Sequence, residues 1–375
     1  MLKNTQISRL ATATCTFALA FAPTCLHADS FSQTNLVSDV PGLANNTDPN
    51  LKNPWGVSFS TTSPFWVSNQ ASGNSTLYNG AGSPQSLVVT IPGSITPPSG
   101  PTGQVFNGAS SGFLVNGAPA SFIFDNLNGA ISAWNGSAGT TAVNVVPSSG
   151  AVYTGLAQNS TASGTFLYAA NSTGGIDVFN SSWNKVSGFG FVDPNAVAGF
   201  KPFNIQSIGA NLFVTYAELG PGGSPMPGGY VDEFDSSGNF IKRIATSGSL
   251  FAPWGISLAP SNFGSFSNDL LIGNFGNGEI LAYDATTDLF LGTLDGTDGK
   301  PIVNDFLWAL ETRNAPGFNS NALYFSAGIN NQQDGLFGEI TEVPEPATIF
   351  GTAFGLAALA LSGVRRGLTR NSRLS

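Results

Sequence analysis

Apolar residues in this chain come in short runs separated by Gly, Asn, Asp and Ser, with no helical period. Phe65-Trp66-Val67, Phe122-Ile123-Phe124, Phe166-Leu167-Tyr168, Leu212-Phe213-Val214, Leu270-Leu271-Ile272 and Leu323-Tyr324-Phe325 are six such runs. Runs of this length bounded by turn formers predict β-strands. Each is followed by Gly-x-apolar-x-x-apolar-Asn/Asp, at 73–79, 129–135, 174–180, 229–235 and 278–284, with a degraded copy at 335–341. The leading glycines stand 56, 45, 55, 49 and 57 residues apart. A third strand precedes each pair, as in Trp55-Gly56-Val57-Ser58-Phe59 and its near copy Trp254-Gly255-Ile256-Ser257-Leu258, and fourth strands follow at 87–91, 143–146, 186–192, 240–244 and 290–294. A four-strand repeat of about 50 residues is the unit of a β-propeller blade. The prediction is an all-β, six-bladed propeller over 29–343. The sixth copy lacks a fourth strand, and the spare strand 31–37 is expected to pair onto it and close the ring. A β-helix would need shorter, more regular coils, and two sandwiches would not repeat one motif six times.

The two ends depart from this pattern. Lys3 and Arg9 precede an almost uncharged, apolar stretch to Leu26, which predicts a secretory signal over 1–28 with cleavage after Ala28. At the other end, Val343-Pro344-Glu345-Pro346 leads into an uncharged run, 347–364, and then Arg365, Arg366, Arg370 and Arg373. As a transmembrane helix that run would span about 27 Å, enough for a bilayer core, with the arginines held on the cytoplasmic side. The layout of 344–375 resembles the PEP-CTERM tail, a bacterial sorting signal cut by an exosortase; the alternative is an ordinary C-terminal anchor. The resemblance implies Val343, Pro344, Glu345, Pro346, Arg365 and Arg366 as the sorting motif. It also implies the Sec translocon and an exosortase as partners, a transient stay in the inner membrane, and a final place on the envelope surface or in the extracellular matrix of a Gram-negative bacterium.

Removal of 1–28 changes the chemistry available. Cys15, Cys25 and His27 are the cysteines and the histidine of the whole chain, and all lie in that segment. The chain from Asp29 onward has no thiol and no imidazole, so it can form no disulfide, His or Cys zinc site, or Ser-His-Asp type nucleophile. Residues 29–343 carry seven Lys or Arg against twenty-one Asp or Glu, a net 7 − 21 = −14. That acidity disfavours nucleic acid as a partner.

In a propeller the innermost strand begins on the face where the antiparallel second strand ends. That face should gather Asn53, Trp55, Phe203, Asn204, Trp254 and Trp308 with Asn69, Asn126, Asn171, Tyr216 and Asn274, and with Asp125 and Glu218 beside them. Aromatic planes interleaved with amides suit a neutral, hydroxyl-rich ligand such as a glycan. The plainer reading is that Pro-Trp-Gly plugs the channel and the asparagines cap turns. Asp288, Asp295, Asp298 and Asp305 offer hard oxygen donors for calcium, although Asp295-Gly296 and Asp298-Gly299 also read as hairpin turns. A metal-dependent hydrolase or lactonase at the channel mouth would draw on Asp125, Glu218 and the asparagines. The glycine-rich 220–229 has no helix or Lys-Ser/Thr after it and reads as a long flexible hairpin loop, and Lys242-Arg243 as a solvated pair.

The order of motifs further resembles a family of uncharacterised PEP-CTERM-tagged proteins, similar in architecture to NHL-type propellers. Its carriers are Thr34-Asn35-Leu36-Val37-Ser38-Asp39, Asn53-Pro54-Trp55-Gly56-Val57, Pro101-Thr102-Gly103-Gln104-Val105-Phe106-Asn107, Pro202-Phe203-Asn204-Ile205-Gln206, Ala252-Pro253-Trp254-Gly255 and Leu307-Trp308-Ala309-Leu310. It implies fold and export, not chemistry. The functional expectation is an exported, non-catalytic propeller binding glycan or a surface protein. A metal-dependent hydrolase and a structural coat component are the alternatives.

Overall fold

The computed structural model describes residues 29–93 and 99–344. The expected signal segment 1–28, the expected helix 347–364, Glu345, Pro346, Arg365 and Arg366 lie outside the described residues. Among those described, no helix is long and apolar enough to cross a membrane.

Six antiparallel sheets form the six blades. The first holds Pro54–Ser58, Phe65–Asn69, Asn74–Tyr78 and Pro84–Thr90, and the second Gln104–Phe106, Phe122–Asp125, Ile131–Trp134 and Val143–Val146. The third holds Tyr153–Thr161, Gly164–Asn171, Ile176–Asn180 and Lys185–Val186; the fourth Lys201–Ile208, Asn211–Ala217, Tyr230–Asp235 and Phe240–Thr246. The fifth holds Pro253–Leu258, Leu270–Asn274, Ile280–Tyr283 and Phe290–Thr293. In the sixth, Leu307–Thr312, Ala322–Ala327 and Leu336–Val343 are completed by Ser30–Ser38 from the start of the propeller. Ser30–Ser38 runs antiparallel to Leu336–Val343, from Ser30 opposite Val343 to Ser38 opposite Leu336, and Asn46–Thr47 adds a short parallel strand outside it. The ring therefore closes as the spare strand requires, and Phe31, Leu36 and Val37 become buried by doing so.

The repeated motif has a plain physical origin. Its glycine turns the second strand into the third: Gly129 and Gly278 sit at φ +76° and +75°, where a Cβ is strained, and a Cβ on Gly278 would overlap the backbone of Asn304. Its apolar positions fill the seams between blades. Among the described residues, five clusters of buried side chains lie at seams, and a sixth runs from the seam of the sixth and first blades into the axis through Trp55, Phe203, Trp254 and Trp308. Trp66, stacked on Phe122 at 4.1 Å, holds the seam of the first and second blades.

Two local expectations change. In the third blade the outer strand stops at Val186 rather than running to 192. There the chain swings across to the fourth blade, where Phe191 N donates to the carbonyl of Gly238 at 2.7 Å and the Phe191 ring packs on Phe234. Lys242-Arg243 is not a solvated pair. Lys242 bridges to Asp288 at 2.8 Å, and Arg243 pairs with Asp232 and Asp193 and covers the Tyr230 ring at 3.9 Å.

Candidate functional site

The innermost strands carry the aromatic residues into the channel by means of bulges. Their ladders slip between Pro54 and Val57, Tyr153 and Gly155, Pro202 and Asn204, Pro253 and Gly255, and Leu307 and Leu310. The residues skipped include Trp55, Thr154, Phe203, Trp254 and Trp308. A bulge leaves its residue out of the ladder and re-aims it, here from a blade face to the axis. The neighbouring glycines serve a different need, because innermost strands of adjacent blades meet backbone to backbone. A Cβ on Gly255 would overlap the Trp308 carbonyl, and one on Gly155 the amide of Asn204.

The result is a plug. Trp55 stacks on Trp308 with ring centres 3.5 Å apart, and Trp254 presents its edge to both at 6.2 and 5.6 Å. Trp254 Nε1 donates across the channel, from the fifth blade to the third, to the Thr154 carbonyl at 2.9 Å. Trp308 Nε1 donates to Asn53 Oδ1 at 3.0 Å. Trp55 Nε1 is buried and has no partner. Above the plug lies a cavity of about 320 Å³ bounded by Trp55, Trp308, Phe203, Phe275, Gln70 and Gln332, with no charged side chain in its wall. Gly222 and Gly223 also reach it: the 220–229 loop folds toward the mouth and is tied to the fifth blade, with Gly228 N donating to the Leu250 carbonyl at 2.9 Å.

Most of the nominated amides are committed to neighbouring backbone or side chains. Asn69 Nδ2 donates to Asn74 Oδ1 and Thr76 Oγ1, both at 2.9 Å. Asn126 bonds the Ala130 carbonyl, Asn204 the Trp254 carbonyl, and Asn274 both Phe251 N and the Ser249 carbonyl. Asn171 Oδ1 accepts from Val152 N and Thr173 N. Asn53 joins Trp308 to Gln70 and Gln332, so it is the amide nearest in role to a rim residue. Tyr216 stacks on Tyr230 at 4.3 Å and is buried, which pushes its hydroxyl pKa up.

The carboxylates do not converge on the mouth. Asp125 is wholly buried; its Oδ1 accepts from Gly103 N at 2.6 Å and Thr102 Oγ1 at 2.7 Å, while Oδ2 has no partner. Burial pushes this carboxyl up to about 7 against those two bonds. Glu218 is exposed. Asp288 is taken by Lys242. Asp295 and Gly296 open a tight hairpin, with Gly296 N bonded to the Lys300 carbonyl at 2.7 Å. Asp298 is exposed and 3.9 Å from Lys300, and Asp305 is exposed as well. Among the described residues, no group of three or more acids, histidines or cysteines is placed to hold a metal ion.

The sequence reading passed over the opposite mouth. There Gln206 Nε2 of the fourth blade donates to Glu311 Oε1 of the sixth at 3.2 Å, beside a cavity of about 280 Å³ whose wall includes Ser58, Phe59, Phe106 and Gln158. Surrounding protein pushes the Glu311 carboxyl up to about 8. The signal was present: Gln104, Gln206 and Glu311 are polar interruptions in innermost strands that elsewhere carry Val57, Leu156 and Ile256 towards the channel.

No family profile matches the chain. It is similar to the uncharacterized protein R648 of Acanthamoeba polyphaga mimivirus, 30% identical over 325 residues, covering 81% of this chain and 78% of that protein. The uncharacterized protein L690 of the same virus is 28% identical over 326 residues, covering 82% and 84%. Among solved structures it is similar to a hydrazine synthase of Kuenenia stuttgartiensis (TM-score 0.48, 14% identity, 76% of each chain) and to a streptogramin B lyase (TM-score 0.46, 11% identity, 84% and 97%). Likeness at this level does not extend to function.

Proposed function

The chain belongs to the family of the uncharacterised mimivirus protein R648, and we propose that it is an exported, non-catalytic β-propeller whose aromatic mouth binds a neutral, hydroxyl-rich ligand, a glycan or the glycan-like surface of an envelope protein. One observation carries this reading. The plug forms the floor of an uncharged cavity, with Gln70 and Gln332 at its edge and a buried, unpartnered donor on Trp55. A ligand hydroxyl accepting from Trp55 Nε1 would satisfy a group that otherwise costs about 1–3 kcal/mol to leave unpaired, and the rings offer apolar faces beside it. Trp55→Phe keeps a ring and removes the donor. Binding on a glycan array should fall about tenfold while thermal stability holds; a glycan bound equally well by wild type and variant would refute the assignment.

Export and sorting complete the proposal. The signal 1–28 would pass the chain through the Sec translocon. The tail from Val343 to Arg366 would be read by an exosortase that releases the propeller to the envelope surface or matrix. Replacing Pro344, Glu345 and Pro346 with Ala should leave the protein uncut in the inner membrane of a host with an exosortase. Unchanged secretion would discard the sorting reading and leave the binding reading standing.

A further inference from the structure

The second mouth holds a carboxylate without a counter-ion. Glu311 makes one hydrogen bond, from Gln206, and none of the ion pairs among the described residues includes it. Arg313, two positions on, does not pair with it: its guanidinium lies 3.5 Å from the Phe318 ring centre and 4.6 Å from that of Phe59, and donates to the carbonyls of Ser60 and Ser63. Ser58 lines the same cavity, with its Oγ buried behind the wall and without a partner. Ser207 Oγ accepts from Asn159 at 2.9 Å and keeps its own proton and a lone pair for the cavity. Phe59 and Phe106 supply apolar wall.

This wall is rich in acceptors and holds a single carboxyl, which is charged once the pH passes about 8. Calcium would want six to eight oxygens with more carboxylate among them. A neutral ligand would leave the Glu311 charge unanswered when it ionises. A primary ammonium brings three donors and one positive charge, and its alkyl stem can lie along phenyl rings. We propose that this end of the channel is a binding site for a small primary alkylammonium, with the nitrogen on Glu311 and the stem along Phe106. The site is separate from the aromatic mouth, with the Trp254 plug between them, and does not depend on what binds there.

The test is calorimetric titration of the full-length protein, in mild detergent, with n-butylammonium chloride at pH 9. Glu311 is then ionised, above its value of about 8, and the amine is still charged. Saturable binding is expected for n-butylammonium and none for n-butanol or calcium chloride. Glu311→Gln, which keeps shape and hydrogen bonding, should weaken the amine at least tenfold. Should that variant not fold, Phe106→Ala, at a ring 36% exposed, should weaken it about threefold or more. Absence of saturable heat, equal binding of n-butanol, or amine affinity unchanged in the folded variants would overturn the proposal, and so would calcium binding that Glu311→Gln abolishes.

Discussion

Replacing Asp125 with Asn separates the cost of a buried charge from the value of the bonds around it. In the fold, Oδ1 is held by Thr102 and Gly103 while Oδ2 faces protein with no partner. The carboxyl is raised from 3.8 to about 7, chiefly by burial. At about 1.36 kcal/mol per pH unit, this corresponds to roughly 4 kcal/mol between the two protonation states. The sign comes from proton counting. Below pH 4 both folded and unfolded chains hold the proton. Between pH 4 and 7 the unfolded chain releases it and the folded one keeps it, so stability falls as pH rises, and above 7 the loss is complete. Asn cannot titrate. At pH 4 the variant should be less stable by about 1–3 kcal/mol, because its Nδ2 protons occupy the place of the unpartnered Oδ2. By pH 8 it should have gained about 4 kcal/mol relative to wild type and be the more stable form. Urea unfolding followed by tryptophan fluorescence at four pH values measures this difference. Asp232 and Glu311, also raised by burial, bend both curves and cancel from it. A wild-type-minus-variant difference constant to within about 0.5 kcal/mol from pH 4 to 8 would refute the reasoning.

Ring closure can be weighed through Phe31, which packs on Phe263 and Phe266 at 4.8 and 5.9 Å; Phe31→Ala should cost about 3–5 kcal/mol in urea unfolding if the closing strand belongs to the cooperative unit. Trp254→Phe keeps a ring in the plug and removes the bond to Thr154, so the melting temperature should drop by about 2 °C or more. Gly278→Ala meets the Asn304 backbone at a positive φ and should be destabilising by more than about 2 kcal/mol. Gly150→Ala, at φ +78° with open space around it, should cost only about 1 kcal/mol, and comparing the two melting curves isolates the overlap.

The four-strand repeat was legible because a blade is built locally. Alternating strands, a glycine at each tight turn and apolar residues for the seams all lie within about 50 residues of one another. Closure could be read as well, since a spare strand at one end and a missing strand at the other admit one solution that leaves no open edge. The outer strand of the third blade was misread past Val186: Phe189 packs on Phe166 and Tyr168 of its own blade without joining a ladder, and Phe191 is bonded to the fourth blade, because apolar residues signal burial without saying what provides it.

Local pattern was enough for six blades, their order and the gathering of Trp55, Trp254 and Trp308 at one end of the channel. What those residues do there is set by the assembled ring. Bulges in five innermost strands re-aim the rings so that they stack and close the axis, while Asn126, Asn171, Asn204 and Asn274 turn to the backbone and Asn53 alone joins the rings to Gln70 and Gln332. The meeting of Gln206 with Glu311, 105 residues apart, is of the same kind. Propensity and periodicity act over a few neighbouring residues, whereas a channel is made where six distant strands converge, so its contents depend on the closure of the ring.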